Sequence, residues 1–122
     1  MMDKRNFYIN GEWVAPSKVN DFKVINPSNE ETFATISLGY KEDTDAAVKA
    51  AKNAFTKWKE TSKEERIILL EKLLKIYKKR FNEMAEAITI EMGSPVDYSS
   101  SAHTTSGQSH LEDFILRLKE FN

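Results

Sequence analysis

Two histidines, His103 and His110, stand seven residues apart. An imidazole becomes a metal ligand or proton carrier when a carboxylate, thiolate or further imidazole sits at ligand spacing. No such partner accompanies either one, so packing or solvated positions are the better reading. Adjacent carboxylates occur at Glu30-Glu31 and Glu64-Glu65. Acid–base catalysis needs carboxyl groups placed against a reacting proton, whereas neighbours in a turn or at a helix start are ordinarily caps and solvated charge. Lys75, Lys78, Lys79 and Arg80 are the residue types of a phosphate patch, but the acids interspersed with them describe a solvated helix face. Gly11, Gly39, Gly93 and Gly107 are isolated, and no Gly-rich phosphate loop is formed. Trp13 and Trp58 read as core or interface anchors. The sequence has no cysteine, which excludes a thiolate nucleophile, a disulfide and a thiolate metal site. These residues do not compose a self-sufficient active site.

The elements that would carry them are better marked. Ser62 to Met92 reads as one long helix, with Leu70, Leu73, Leu74, Tyr77, Phe81, Met84, Ala85, Ile88 and Met92 on a stripe of three-then-four spacing. Ser62-Lys63-Glu64-Glu65 has the form of a capping box, and Gly93 followed by Pro95 gives the stop signal. Before it, Phe7-Tyr8-Ile9 and Glu12-Trp13-Val14 flank Asn10-Gly11, a pair suited to the positive φ angles of a type I′ hairpin turn. Phe22 to Ile25 reads as extended, and Asn26-Pro27-Ser28-Asn29 as a turn. Thr32 to Leu38 reads as a strand, with Ala34, Ile36 and Leu38 on one face and Phe33, Thr35 and Ser37 on the other. Helical spacing over 43–58, with Glu42, Asp43 and Asp45 at the amino end, predicts a first helix. It is expected to pair antiparallel with the long one. Residues 96–121 read as a weaker helical region, rich in Ser and Thr at its start.

Length and charge bound the whole. With 122 residues and 40% hydrophobic content, one domain with a modest core is expected. Eighteen Lys and Arg balance nineteen Asp and Glu, so no global field favours nucleic acid or an anionic membrane. No apolar run approaches the roughly 20 residues that span a bilayer, and Met1-Met2-Asp3-Lys4-Arg5 does not lead into a signal-peptide core. A cytoplasmic protein is expected.

In this order and spacing, several stretches resemble the amino-terminal end of NAD(P)-dependent aldehyde dehydrogenases. They are Tyr8-Ile9-Asn10-Gly11-Glu12-Trp13-Val14, Ile25-Asn26-Pro27-Ser28-Asn29-Glu30-Glu31, Glu42 to Ala51, Ala54-Phe55 with Trp58, Glu65-Arg66, and Ile88 to Pro95. The likeness runs in register from residue 7 to 95 and is fainter from Val96 onward.

The resemblance implies an α+β segment made of a hairpin and strands (1–39), a helix (43–58), the long helix (62–92) and the weaker helical region (96–121). This would be a single partial domain, the flank of a Rossmann-like α/β cofactor domain without its central parallel sheet. It also implies that the family's cysteine nucleophile, glutamate base, oxyanion asparagine and dinucleotide loop have no counterpart here. The chain is therefore expected to be inactive alone, with NAD or NADP the cofactor of the parent family only. Two sites are carried over by resemblance: a monovalent cation held through backbone groups at Val24 and Glu91, and an aldehyde tunnel lined at Ala102 and Ser106. Packing is the competing role for all four. A non-catalytic interaction module, forming a homo-oligomer or docking on a full-length subunit, is the alternative of a different class, and a truncated product without function is the third. Marginal stability as a monomer is expected, because the long helix would leave much of its stripe uncovered.

Overall fold

The computed structural model describes residues 1–121. The chain separates into two compact units, Met1–Glu60 and a second that begins at Thr61, where length had suggested one domain. The first holds all the strands and the second only helices, so each closes its own backbone hydrogen bonding.

The first unit contains strands β1 (Met2–Lys4), β2 (Phe7–Ile9), β3 (Glu12–Val14), β4 (Asp21–Asn26) and β5 (Glu31–Ser37), then helix α1 (Lys41–Trp58). β2 and β3 form the expected hairpin, Tyr8 opposite Trp13, and Asn10 and Gly11 both take positive φ, 55° and 84°. The Tyr8 and Trp13 rings meet at 5.2 Å between centroids. β5 is the central strand of a second sheet, parallel to β1 and antiparallel to β4, with an irregularity at Val24/Ile25. Its central place buries residues on both faces, Ala34 on one and Thr35 and Ser37 on the other, while Leu38 beyond its end is exposed. β1 had no sequence signal: it is three exposed residues whose pairing partner lies some thirty positions away. The turn between β4 and β5 is the Asx type expected, with the Ser28 N–H donating to Asn26 Oδ1 at 2.9 Å.

Arg5, just after β1, donates Nε and Nη2 to the two carboxylate oxygens of Asp21 at 2.9 Å each and Nη1 to Asp3 at 2.8 Å. The start of β4 is thereby tied to the end of β1. At the start of α1, Asp43 accepts from the Tyr40 N–H at 2.8 Å and the Ser17 N–H at 2.7 Å. Those donors, the Tyr40 N–H foremost, hold the Asp43 carboxyl below its ordinary range. No residue of α1 is buried: Ala47, Val48, Ala51, Ala54, Phe55 and Trp58 are all exposed along its apolar stripe.

The second unit corrects the expectation of one helix over 62–92. α2 (Lys63–Lys79) ends at Arg80, and α3 (Phe81–Met92) begins anew. Arg80 has φ −102° and ψ 17°, and its N–H is shared between the carbonyls of Ile76 and Tyr77. Its guanidinium then bonds Glu83 at 2.9 and 3.0 Å, inside the first turn of α3. No glycine or proline marks the break. It falls between two packing partners: α2 lies along the last helix, whereas α3 lies against the turn that precedes it. The capping box stands as expected, Glu65 N–H to Ser62 Oγ at 3.1 Å and Ser62 N–H to Glu65 Oε2 at 2.7 Å. Gly93 ends α3 at φ 72°. The weak helical region resolves into a single turn α4 (Val96–Tyr98), a π-helical segment (Ser99–Thr104) and α5 (Thr105–Glu120). The helix packed along α2 is α5, joined by Lys78–Glu112 and Lys119–Glu71 ion pairs at 2.6 Å.

Candidate functional site

The π-helical segment is the most organised polar feature of the second unit. A π turn widens the backbone ring, so its carbonyls need partners beyond the ordinary ladder. The Ser and Thr run supplies them. Thr104 donates its hydroxyl to the Ser99 carbonyl at 2.8 Å, and Thr105 to that of Ser100 at 2.9 Å. Ser101 reaches the Asp97 carbonyl at 2.7 Å. Two outside elements fix the segment: Thr89 of α3 donates to Ser99 Oγ at 2.8 Å, and Tyr77 of α2 donates its hydroxyl to the Thr104 carbonyl at 3.0 Å. Ser99 and Thr104 are fully buried. Gly107, one turn into α5, lies beneath Tyr77, and a Cβ there would stand 2.4 Å from the phenolic oxygen.

The residues assigned by resemblance fall around this frame unevenly. Ala102 is half-buried within the π segment and Ser106 is exposed in the first turn of α5. Val24 is half-buried in β4 of the first unit, and Glu91 is exposed near the end of α3 in the second. Among the described residues no group of three or more His, Cys, Asp or Glu side chains could hold a metal ion. His103 packs edge-on against Tyr98, ring centroids 5.0 Å apart. The basic run is largely structural: Lys78 holds Glu112, and Arg80 holds Glu83. The hydrogen bond from Lys78, with its charge and a further bond from Gln108, lowers the Glu112 carboxyl from its ordinary value.

In the first unit, a cavity of about 790 Å³ is bordered by Asp3, Arg5, Trp13, Val19, Asp21 and Ser37. Arg5 is engaged by the two aspartates, and the buried Ser37 hydroxyl, like that of Ser94 elsewhere, meets no hydrogen-bond partner among the described residues. Neither this cavity nor the π segment presents a nucleophile, and the sequence has no cysteine to supply one. A dinucleotide does not fit the residues present. Gly11 lies in a hairpin, Gly93 ends a helix and Gly107 lies within one, so none opens a helix after a parallel strand as phosphate binding requires. Sequence reasoning missed Tyr77, Thr89, Ser99 and Thr104 as a set. The signal for them was the density of hydroxyl residues from Ser99 to Ser106, which reads only as low helix propensity until the widened turn is seen.

Comparison with known proteins places this architecture. The sequence model of the aldehyde dehydrogenase family matches residues 13–120. An aldehyde dehydrogenase from Bartonella henselae is 51% identical and superposes on all of this chain with a TM-score of 0.99, the chain covering 26% of it. Aldehyde dehydrogenase C of Pseudomonas syringae, solved with NAD+ and octanal, is 31% identical with a TM-score of 0.94 over 97% of this chain and 24% of its own. The 3-succinoylsemialdehyde-pyridine dehydrogenase of a Pseudomonas species is 46% identical over 96 residues, 79% of this chain and 20% of that protein. The chain thus spans about a fifth to a quarter of the length of these relatives. Its five strands, its interrupted helices and its register with those structures make it a member of the aldehyde dehydrogenase family, matching that family's amino-terminal region.

Proposed function

We propose that this chain is the amino-terminal part of an NAD(P)-dependent enzyme that oxidises aldehydes to carboxylic acids, and that it does not catalyse by itself. One observation carries the reading: the fold matches its relatives over its whole length while covering about a quarter of theirs, and it brings neither nucleophile nor dinucleotide loop. Its contribution would be architectural. The π segment, held by Tyr77 and Thr89, would present Ala102 and Ser106 to the passage by which aldehyde reaches a nucleophile supplied elsewhere. No helix of the described residues is long and apolar enough to cross a membrane, and the balanced charge favours a cytoplasmic, oligomeric enzyme without nucleic acid. The choice between NAD and NADP belongs to the part that binds the dinucleotide.

The test is a direct assay. The purified 122-residue chain, mixed with NAD+ or NADP+ and a panel of aliphatic and aromatic aldehydes, is expected to give no absorbance increase at the reduced-nicotinamide band. Turnover abolished by heat and proportional to chain concentration would overturn the reading.

A further inference from the structure

Helix α2 carries apolar side chains over more of its circumference than α5 covers. Leu70, Leu74 and Tyr77, on the side that meets α5, are half-buried. Leu69, Leu73 and Ile76 occupy the adjoining arc and remain 47%, 48% and 54% exposed. A helix that is apolar on two sides belongs in the middle of a layered structure, and the second unit supplies only one of its two neighbours. The open arc also has shape. Where α2 breaks at Arg80 and α3 restarts, Leu73, Ile76, Tyr77, Met84 and Ala87 line a groove of about 340 Å³, with the Arg80–Glu83 pair beside it. An apolar floor with a charged edge is the form of a site that takes an apolar side chain from a packed partner.

Resting on the proposed function, we infer that this groove seats a segment of the catalytic remainder of an aldehyde dehydrogenase subunit, whether continuous with this chain or supplied as a separate one. Two observations favour that occupant over a second copy. The solved relative from Bartonella henselae holds this same fold at a TM-score of 0.99, with the rest of its subunit lying outside the 26% that is matched. Further, exposed Lys72, Lys75 and Lys79 flank the open stripe along α2. A two-fold contact uses the same patch on both copies, so it would set these ammonium groups against their own counterparts. A partner with an acidic rim meets them without that repulsion.

The test co-expresses the tagged 122-residue chain with the Bartonella henselae enzyme lacking its matching segment. Beside it stands a chimera in which this chain replaces that segment within the intact enzyme. A one-to-one complex and a soluble chimera are expected. Leu73→Asp and Ile76→Asp should each lower complex recovery and soluble chimera by more than about tenfold, because a carboxylate would be buried unpaired in the groove. Both positions are about half exposed, so the far-UV circular dichroism of the isolated chain should not change. Glu86→Gln, which lies outside the groove, should leave complex and chimera as they were. Complex and chimera that tolerate both aspartates overturn the docking surface, as does a homo-oligomer of this chain dissolved by Leu73→Asp. Insolubility of both preparations overturns it too, since the chain then fails to cover the remainder. A chimera that folds and loses solubility on substitution, yet oxidises no aldehyde, keeps the surface and overturns the functional reading instead.

Discussion

Replacing Gly107 by alanine tests whether Tyr77 clamps the π segment as the geometry indicates. The new Cβ would lie 2.4 Å from Tyr77 Oη and 3.1 Å from Cζ. The first distance is closer than a carbon and an oxygen approach without bonding, so the ring must swing away. Its hydroxyl then loses the Thr104 carbonyl, 3.0 Å away in the native arrangement. Overpacking of this kind costs about 1–3 kcal/mol, and the lost hydrogen bond about 1 kcal/mol. Alanine in a helix recovers about 1 kcal/mol relative to glycine. Gly107→Ala should therefore destabilise the chain by about 1–3 kcal/mol. Tyr77→Phe removes the hydroxyl alone and should cost about 1 kcal/mol. In the Tyr77→Phe background the obstructing oxygen is gone and the nearest ring carbon stands at 3.1 Å, so Gly107→Ala should become close to neutral. Urea unfolding followed by circular dichroism on the four proteins gives the coupling, expected at about 1–2 kcal/mol in favour of the double variant. A Gly107→Ala substitution that costs the same with the native tyrosine as in the Tyr77→Phe background would refute the clamp.

Two further outcomes follow from particular side chains. The Ser37 and Ser94 hydroxyls are buried and meet no partner among the described residues, so Ser37→Ala and Ser94→Ala should leave stability unchanged or raise it by up to about 1 kcal/mol. A loss above about 1 kcal/mol on thermal unfolding would show that the hydroxyl is in fact used. Glu112 has a lowered native pKa, first through its hydrogen bond from Lys78. A carboxyl whose folded pKa lies below its unfolded one stabilises fully above the unfolded value, and that stabilisation fades as pH falls through the folded value. Stability of the native chain should accordingly decline below about pH 4.5, the unfolded reference for this group, more steeply than that of Glu112→Gln. Parallel stability profiles for the two proteins from pH 6 to 3 would show that the pair contributes no such dependence.

What was legible in the sequence was whatever local chemistry decides. Asn10-Gly11 fixes its hairpin through φ alone, Ser62 and Glu65 cap a helix within four residues, and Gly93 ends one. What was not legible depended on partners distant in the chain. β1 exists because β5 offers a free edge to Met2–Lys4, and three exposed residues carry no pattern of their own. The break at Arg80 is similar: the apolar rhythm runs unbroken from Leu70 to Met92, and only packing against two different neighbours divides it. The π segment shows the same limit on the polar side. Ser99, Thr104 and Thr105 lower helix propensity when read singly, yet their hydroxyls satisfy the carbonyls that the widened turn frees.

The division between local and distant causes also explains why the chain is incomplete in one respect only. Its backbone polar groups find partners nearby, in a hairpin, a three-stranded sheet, caps and a hydroxyl-lined turn, so each unit can define its own path. Its apolar groups do not. Full burial is reached by Ala34, Ala85 and Ile115 alone among the described hydrophobic residues, and two of those are alanines, whose burial releases little area. Leu73, Phe55 and Trp58, which would release much more, stay near half exposed. Hydrogen bonding specifies a path without much net free energy, whereas apolar burial is the dominant favourable term in folding. A chain that completes the first and leaves the second open holds the geometry of its region while depending on further surface for its stability, which is the condition expected of the first quarter of a larger layered subunit.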